Sequence, residues 1–313
     1  MIRRILILLL LVQAGAVLAL AGIAARYTQL APLPAIICSA ALLLLVRLAI
    51  TAHNFGLSWR ARSATPAAHQ LAPGGRLRLF LREFRASMLT SSWSMLRPVG
   101  LQLPAKPRGL PVLLIHGYGC NGGYWRPLSA RLRAAGISHY AIDLEPPTAG
   151  IDDYVPQVQA ASELLRAASG VDRIVIVAHS MGGLVARAWL RRHGDAQLAR
   201  LITLGTPHHG TALAQLGIGR NARQMRRDDA WLPALSAAEP AARRAAISSL
   251  FSHHDNIVAP QESCRLPGAR NVEFAGIGHV ELGRAEVVLD VVMAEIKAVS
   301  AQRSAIDLNH QLR

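Results

Sequence analysis

Two long apolar stretches open the chain. Ile5 to Ala25 is interrupted only by Gln13, and Leu30 to Ile50 has Pro32 and Pro34 at its entrance and Arg47 near its end. About 20 residues of apolar helix cross a hydrocarbon core, and Arg26-Tyr27-Thr28-Gln29 between the runs leave room only for a turn. The pattern predicts a transmembrane helical hairpin over residues 1–50. From residue 110 the pattern changes to short apolar runs alternating with helical periodicity. Strands are expected near 111–115, 138–142, 173–178, 199–204, 246–252 and 270–274, and helices near 125–135, 154–168, 181–193 and 284–299. Such alternation specifies an α/β fold, a mostly parallel sheet with helices on both faces, over residues 110–299. A stretch over 212–244 interrupts it and suits either a small cap or a surface helix pair; residues 300–313 read as a tail.

Between hairpin and sheet domain, residues 51–109 read as a basic juxtamembrane linker. Residues 60–108 carry nine Lys/Arg against Glu83 alone, within a chain of net charge +15. Leu77, Phe80, Leu81, Phe84 and Met88 recur at helical spacing, with Arg78, Arg82 and Arg85 on the other side. This is a basic amphipathic helix suited either to anionic headgroups or to packing its apolar stripe on the main domain. Arg3 and Arg4 precede the first run, only Arg26 lies in the turn, and Arg47, Arg60 and Arg62 accompany or follow the second. The positive-inside rule then puts both ends in the cytoplasm. A cleaved signal peptide ending at Ala19-Leu20-Ala21 is the rival; it would put the domain in the periplasm and leave the second run without a role.

The chemistry concentrates at the ends of expected strands. Ile174-Val175-Ile176-Val177-Ala178 runs into His179-Ser180-Met181-Gly182-Gly183, and a helical pattern begins at once. This is the context of a nucleophile elbow, with Ala178 where glycine is usual. A serine that attacks a carbonyl needs a base and an acid to orient it. Asp255 follows the 246–252 strand, and His279 follows the 270–274 strand through Gly276-Ile277-Gly278. Upstream, His116-Gly117-Tyr118-Gly119 follows the 111–115 strand, where glycine-rich backbone can aim an amide at a developing oxyanion.

His116-Gly117-Tyr118-Gly119, Ala178-His179-Ser180-Met181-Gly182-Gly183, Asp255-Asn256-Ile257-Val258 and Gly276-Ile277-Gly278-His279 together resemble the bacterial class 2 lipases, including the small Bacillus enzymes. Alanine for the first elbow glycine is itself a feature of that Bacillus group. The resemblance covers roughly Leu110 to Lys297. It implies an α/β-hydrolase fold, Ser180 as nucleophile, His279 as base, Asp255 as its orienting acid, and backbone oxyanion donors at Tyr118 and Met181. Leu204 to Thr211 is closer to the larger lipases and esterases, and Ala212 to Arg244 is longer than a minimal lipase has there, so fine substrate preference does not transfer. The expected protein is a serine ester hydrolase of the bacterial inner membrane, cleaving a lipid or other acyl ester and needing no cofactor. An acyltransferase on the same triad and a non-catalytic membrane adaptor are the alternatives.

Other chemistries find little support. No Gly-Lys-Ser/Thr ending follows the glycine-rich turn, as a phosphate loop would need. The basic residues lack interleaved stacking aromatics, which argues against nucleic acid. Cys38, Cys120 and Cys264 make no disulfide framework. The adjacent pairs His208-His209 and His253-His254 do not have metal-chelating spacing.

Overall fold

The computed structural model describes residues 1–311, with side chains described as far as residue 301. The hairpin is α1 (Ile2–Thr28) and α2 (Pro32–Arg60), turned by Gln29 in the left-handed conformation. Both helices are long and apolar enough to cross a membrane, and few of their residues are buried. α2 runs past the expected end at residue 50 because only Gly56 opposes helix there, at a cost of about 1 kcal/mol. Gln13 and Arg47, the polar interruptions of the two runs, find each other. Arg47 Nη2 donates to Gln13 Oε1 at 2.5 Å, and its Nη1 donates to Ser92 Oγ at 3.1 Å. Arg47 is thus bound among helices, between Gln13 of α1 and Ser92 further along the chain.

The expected amphipathic helix, α3 (Pro73–Ser92), does not dock by its apolar stripe. Its buried residues are Leu79, Glu83, Ala86 and Thr90, while Leu77 and Leu81 of the apolar stripe stay 61% and 51% exposed. Phe80 turns to the hairpin instead, its ring centroid 5.9 Å from that of Phe55.

Seven strands form one sheet: β1 (Gly100–Gln102), β2 (Val112–Ile115), β3 (His139–Ile142), β4 (Ile174–His179), β5 (Leu198–Leu204), β6 (Ile247–Ser252) and β7 (Arg270–Phe274), in the order β1-β3-β2-β4-β5-β6-β7. Only β1, against β3, is antiparallel. β2 and β4 are buried throughout, which is why they read as unbroken apolar runs. Alternate residues feed two cores. Leu113, Ile115, Ile174 and Ile176 pack with α5 (Val155–Ser169) and α6 (Met181–His193). Val112, Leu114, Val175 and Val177 face α4 (Arg126–Ala134) and α10 (Glu286–Gln311). The expected tail from residue 300 continues α10; residues 312–313 lie outside the described residues.

Residues 212–244 divide in two. The 3-10 turn Ala212–Leu216 leads to Ile218, which exchanges hydrogen bonds with Tyr118 Oη (2.9 and 3.0 Å). The short helices α7 (Arg220–Gln224), α8 (Trp231–Ala237) and α9 (Ala241–Ala245) follow. The buried Arg187 of α6 ties in α8 by a bond to Ser236 (3.2 Å) and the turn after it by bidentate bonds to Glu239 (3.0 and 2.9 Å).

Candidate active site

The C-terminal ends of β2, β4, β6 and β7 carry the loops with Tyr118, Ser180, Asp255 and His279, the edge where open α/β sheets gather their ligands. Ser180, between β4 and α6, adopts φ 55° and ψ −127°, a strained turn for a residue with a side chain. It is 7% exposed. Ala178 is fully buried, so the small residue the elbow needs is present without glycine.

Asp255 and His279 meet although 24 positions apart: His279 Nδ1 donates to Asp255 Oδ2 at 2.7 Å, both residues buried. Asp255 Oδ1 accepts from the amides of Ile257 and Val258 (2.8 and 2.7 Å), which fixes the carboxylate. Burial pulls the His279 pKa down, but the charge and hydrogen bond of Asp255, with the charge of Glu83, outweigh it and leave the pKa raised. The other acids nearby serve elsewhere, since Glu262 and Glu273 both bind Arg265. His179, the residue before Ser180, sets its ring 4.6 Å from that of His279 between centroids. Its Nε2 donates to the His279 carbonyl at 3.1 Å. Among the described residues Ser180 Oγ makes no hydrogen bond to His279; such contacts are often loose without substrate.

Tyr118 and Met181, the expected oxyanion donors, begin a turn and a helix respectively. Among the described residues neither amide has an acceptor in the loops around it. His116 is structural: its Nε2 accepts from the Leu144 amide at 3.0 Å, its Nδ1 donates to the Gly117 carbonyl at 2.9 Å, and burial lowers its pKa. Burial pushes the Cys120 thiol up to about 12, so it is no thiolate nucleophile.

Three partners of this site escaped the sequence reading. Asn256 Oδ1 accepts from the His279 amide at 3.0 Å. His179 backs His279 as described. Glu83 of α3 accepts from the amides of Val280 and Glu281, both at 3.0 Å. Its only sequence signal is its isolation as the sole acid before Asp143. Nearby, His253 Nε2 and Glu273 Oε2 lie 2.7 Å apart with His69 stacked on His253 (centroids 4.7 Å). Face-to-face imidazoles converge poorly on a metal, and Arg265 holds the other Glu273 oxygen at 2.6 Å, so the cluster reads as a brace between linker and acid loop. A cavity of 520 Å³ behind that loop is lined by Phe55, Trp59, Leu79, Phe80 and Asp255, but not by Ser180 or His279.

A mostly parallel sheet with a strained serine at the β4–α6 turn and a buried acid–histidine pair on later loops defines a class, the α/β-hydrolases. The chain belongs to the alpha/beta hydrolase family, whose model matches residues 112–291, more than half of it. Two relatives named triacylglycerol lipase, from Pseudarthrobacter phenanthrenivorans and Burkholderia plantarii, are each 28% identical over 112 residues. Each match covers 33% of this chain, and 35% and 31% of those proteins, so the chain spans about a third of the curated relatives it matches. The mature Bacillus licheniformis lipase BlEst2 superposes with a TM-score of 0.56 at 18% identity, covering 62% of this chain and 96% of that one; this is a likeness of fold.

Proposed function

We propose that this protein is a membrane-anchored serine hydrolase that cleaves carboxylic esters, acyl esters of lipids in particular, through an acyl-enzyme. The observation that carries the reading is the buried 2.7 Å Asp255–His279 pair beside the strained Ser180 turn. Ser180 Oγ attacks the ester carbonyl while His279 Nε2 takes its proton and later gives it to the leaving alcohol. Asp255, holding the Nδ1–H, keeps Nε2 free as base and supports the imidazolium. The tetrahedral oxyanion meets the amides of Tyr118 and Met181, each donor being worth ~3 kcal/mol in the transition state. Water, activated by the same histidine, then frees the acid.

The two lipase-named relatives support an ester substrate. A lipid substrate is supported by Leu216 and Ile218, 68% and 72% exposed on the segment that meets Tyr118. The apolar α1–α2 pair supports the membrane anchor.

The test uses the full-length protein in detergent with p-nitrophenyl butyrate and a fluorophosphonate probe. Wild type is expected to turn over the ester and to label at Ser180. Ser180→Ala and His279→Ala are expected to lose about 10⁶-fold in kcat, and Asp255→Asn about 10⁴-fold. Near-wild-type turnover by Ser180→Ala would overturn the reading.

A further inference from the structure

Glu83 belongs to a helix outside the matched segment 112–291, yet it is fully buried against the histidine loop. Its two carboxylate oxygens accept from Val280 and Glu281, the residues directly after His279. Directly before His279, Gly278 has no side chain to spare: a Cβ there would fall 2.4 Å from Glu83 Oε2. One carboxylate therefore fits the loop on both sides of the histidine. Arg82 reinforces the dock by binding the Glu281 carboxylate at 2.5 Å. A buried charge is expensive, and a neutral acceptor would serve an ordinary loop anchor at less cost.

We propose that Glu83 is a positioning residue for this reaction: from the juxtamembrane helix its carboxylate fastens the His279 loop and sets a second negative charge, after Asp255, near the imidazolium. The proposal rests on the serine-hydrolase reading above. It makes the membrane-proximal segment part of the catalytic assembly, since α3 also holds the hairpin through Phe80–Phe55 and Arg47–Ser92.

The groups facing Glu83 are His279 and Glu281 on the histidine loop, Asp255 on the acid loop, Tyr124 below the oxyanion loop, and Arg82 on its own helix. Burial pushes the Glu83 carboxyl up to about 7, against the pull of the Val280 and Glu281 amides and the His279 charge. Glu83 and His279 must then both lose a proton for full activity. The acidic limb of the rate profile is expected to fall more steeply than one proton per pH unit.

The experiment compares full-length wild type, Glu83→Gln and Glu83→Asp in detergent, measuring kcat, KM and fluorophosphonate labelling from pH 5 to 9, with melting curves alongside. Glu83→Gln is expected to lose roughly tenfold or more in kcat, since one pKa unit of lost imidazolium support is a factor of ten. Its KM should stay within about twofold and its acidic limb should fall to one proton. Glu83→Asp should recover part of the rate and keep the steep limb. A Glu83→Gln enzyme within about twofold of wild type in kcat, with an unchanged profile, would overturn the proposal. So would a one-proton limb in wild type, which decides the matter even if the glutamine variant fails to fold. A wild type without esterase activity, or an active Ser180→Ala, would instead overturn the hydrolase reading and this proposal with it.

Discussion

Ser180 holds a backbone conformation that costs a residue with a side chain of order 1–3 kcal/mol. Its amide donates to the Leu204 carbonyl at 2.8 Å and its carbonyl accepts from Gly183 at 3.0 Å, so the turn is pinned from both sides. Ser180, Asp255 and His279 were legible in the sequence because each follows an expected strand and their chain order is that expected of a triad. Glu83 and Asn256 were not, because each meets its partner across a separation that no local pattern encodes: 197 positions for Glu83–Val280 and 23 for Asn256–His279. Glu83 also sets a pH dependence of stability. Its folded pKa, about 7, lies above its ordinary 4.5, so its contribution is fully present below about 4.5 and is lost as pH rises through 7. His279, also raised, has the same sign. The loss from Glu83 is roughly 3 kcal/mol. The melting temperature is therefore expected to fall between pH 5 and 8, and Glu83→Gln, followed by circular dichroism, should flatten most of that slope. A slope unchanged by the substitution would show that other groups carry it. With the positioning role proposed above, the protein is then most stable where Glu83 is neutral and most active where it is charged.

At the scale of elements, β2 and β4 announced themselves because strands buried on both faces are continuous apolar runs. β1 did not: three half-buried residues beginning at Gly100, whose φ is +65°, carry no period to read. α3 decides between its two alternatives against packing the apolar stripe on the main domain. Its strongest period, Leu77-Phe80-Leu81-Phe84-Met88, is not its docked face, which is built from Leu79, Glu83, Ala86 and Thr90. The close fit of α6 to the oxyanion strand gives a sharper test. A Cβ at Gly182 would lie 2.6 Å from both the Ile115 and His116 carbonyl oxygens. Helix propensity favours alanine there by about 1 kcal/mol, whereas overpacking costs roughly 1–3 kcal/mol or more. Here the obstacle is backbone, which cannot rotate away, so the clash should win. Gly182→Ala is expected to lower the melting temperature and slow fluorophosphonate labelling, because relief must move the strand that leads to Tyr118. A more stable, fully labelled variant would mean that α6 has slack.

For the whole molecule, the proposed membrane anchor raises the question of which side of the membrane the site occupies. The Met1 ammonium pairs with Glu145 just beyond β3, and Ser63, just after α2, bonds Gln261 beside the acid loop (3.2 Å). Both ends of the hairpin thus meet the hydrolase domain, with the α1–α2 turn carrying Arg26 at the other end. Two spans return the chain to the side where it began, and Arg3, Arg4, Arg60 and Arg62 bias that side to the cytoplasm. Full-length protein carrying a C-terminal green fluorescent reporter is therefore expected to fluoresce, and the alkaline phosphatase fusion to be inactive; fusions after Arg62 should agree. Failure of the second run to insert, with Pro34 and Arg47 bounding its apolar centre, is the physical route to the opposite result. Strong phosphatase activity without fluorescence would mean that one span anchors the chain and the site faces the periplasm. The Arg47–Gln13 bond opposes that route: two polar groups satisfied against each other lower the cost of keeping both helices in the hydrocarbon. Arg47→Ala would leave Gln13 without this partner and free the Ser92 hydroxyl of α3. It should therefore weaken the link between anchor and domain before it alters the triad, a separation that limited proteolysis of the 61–72 linker would register as faster cleavage at unchanged Ser180 labelling.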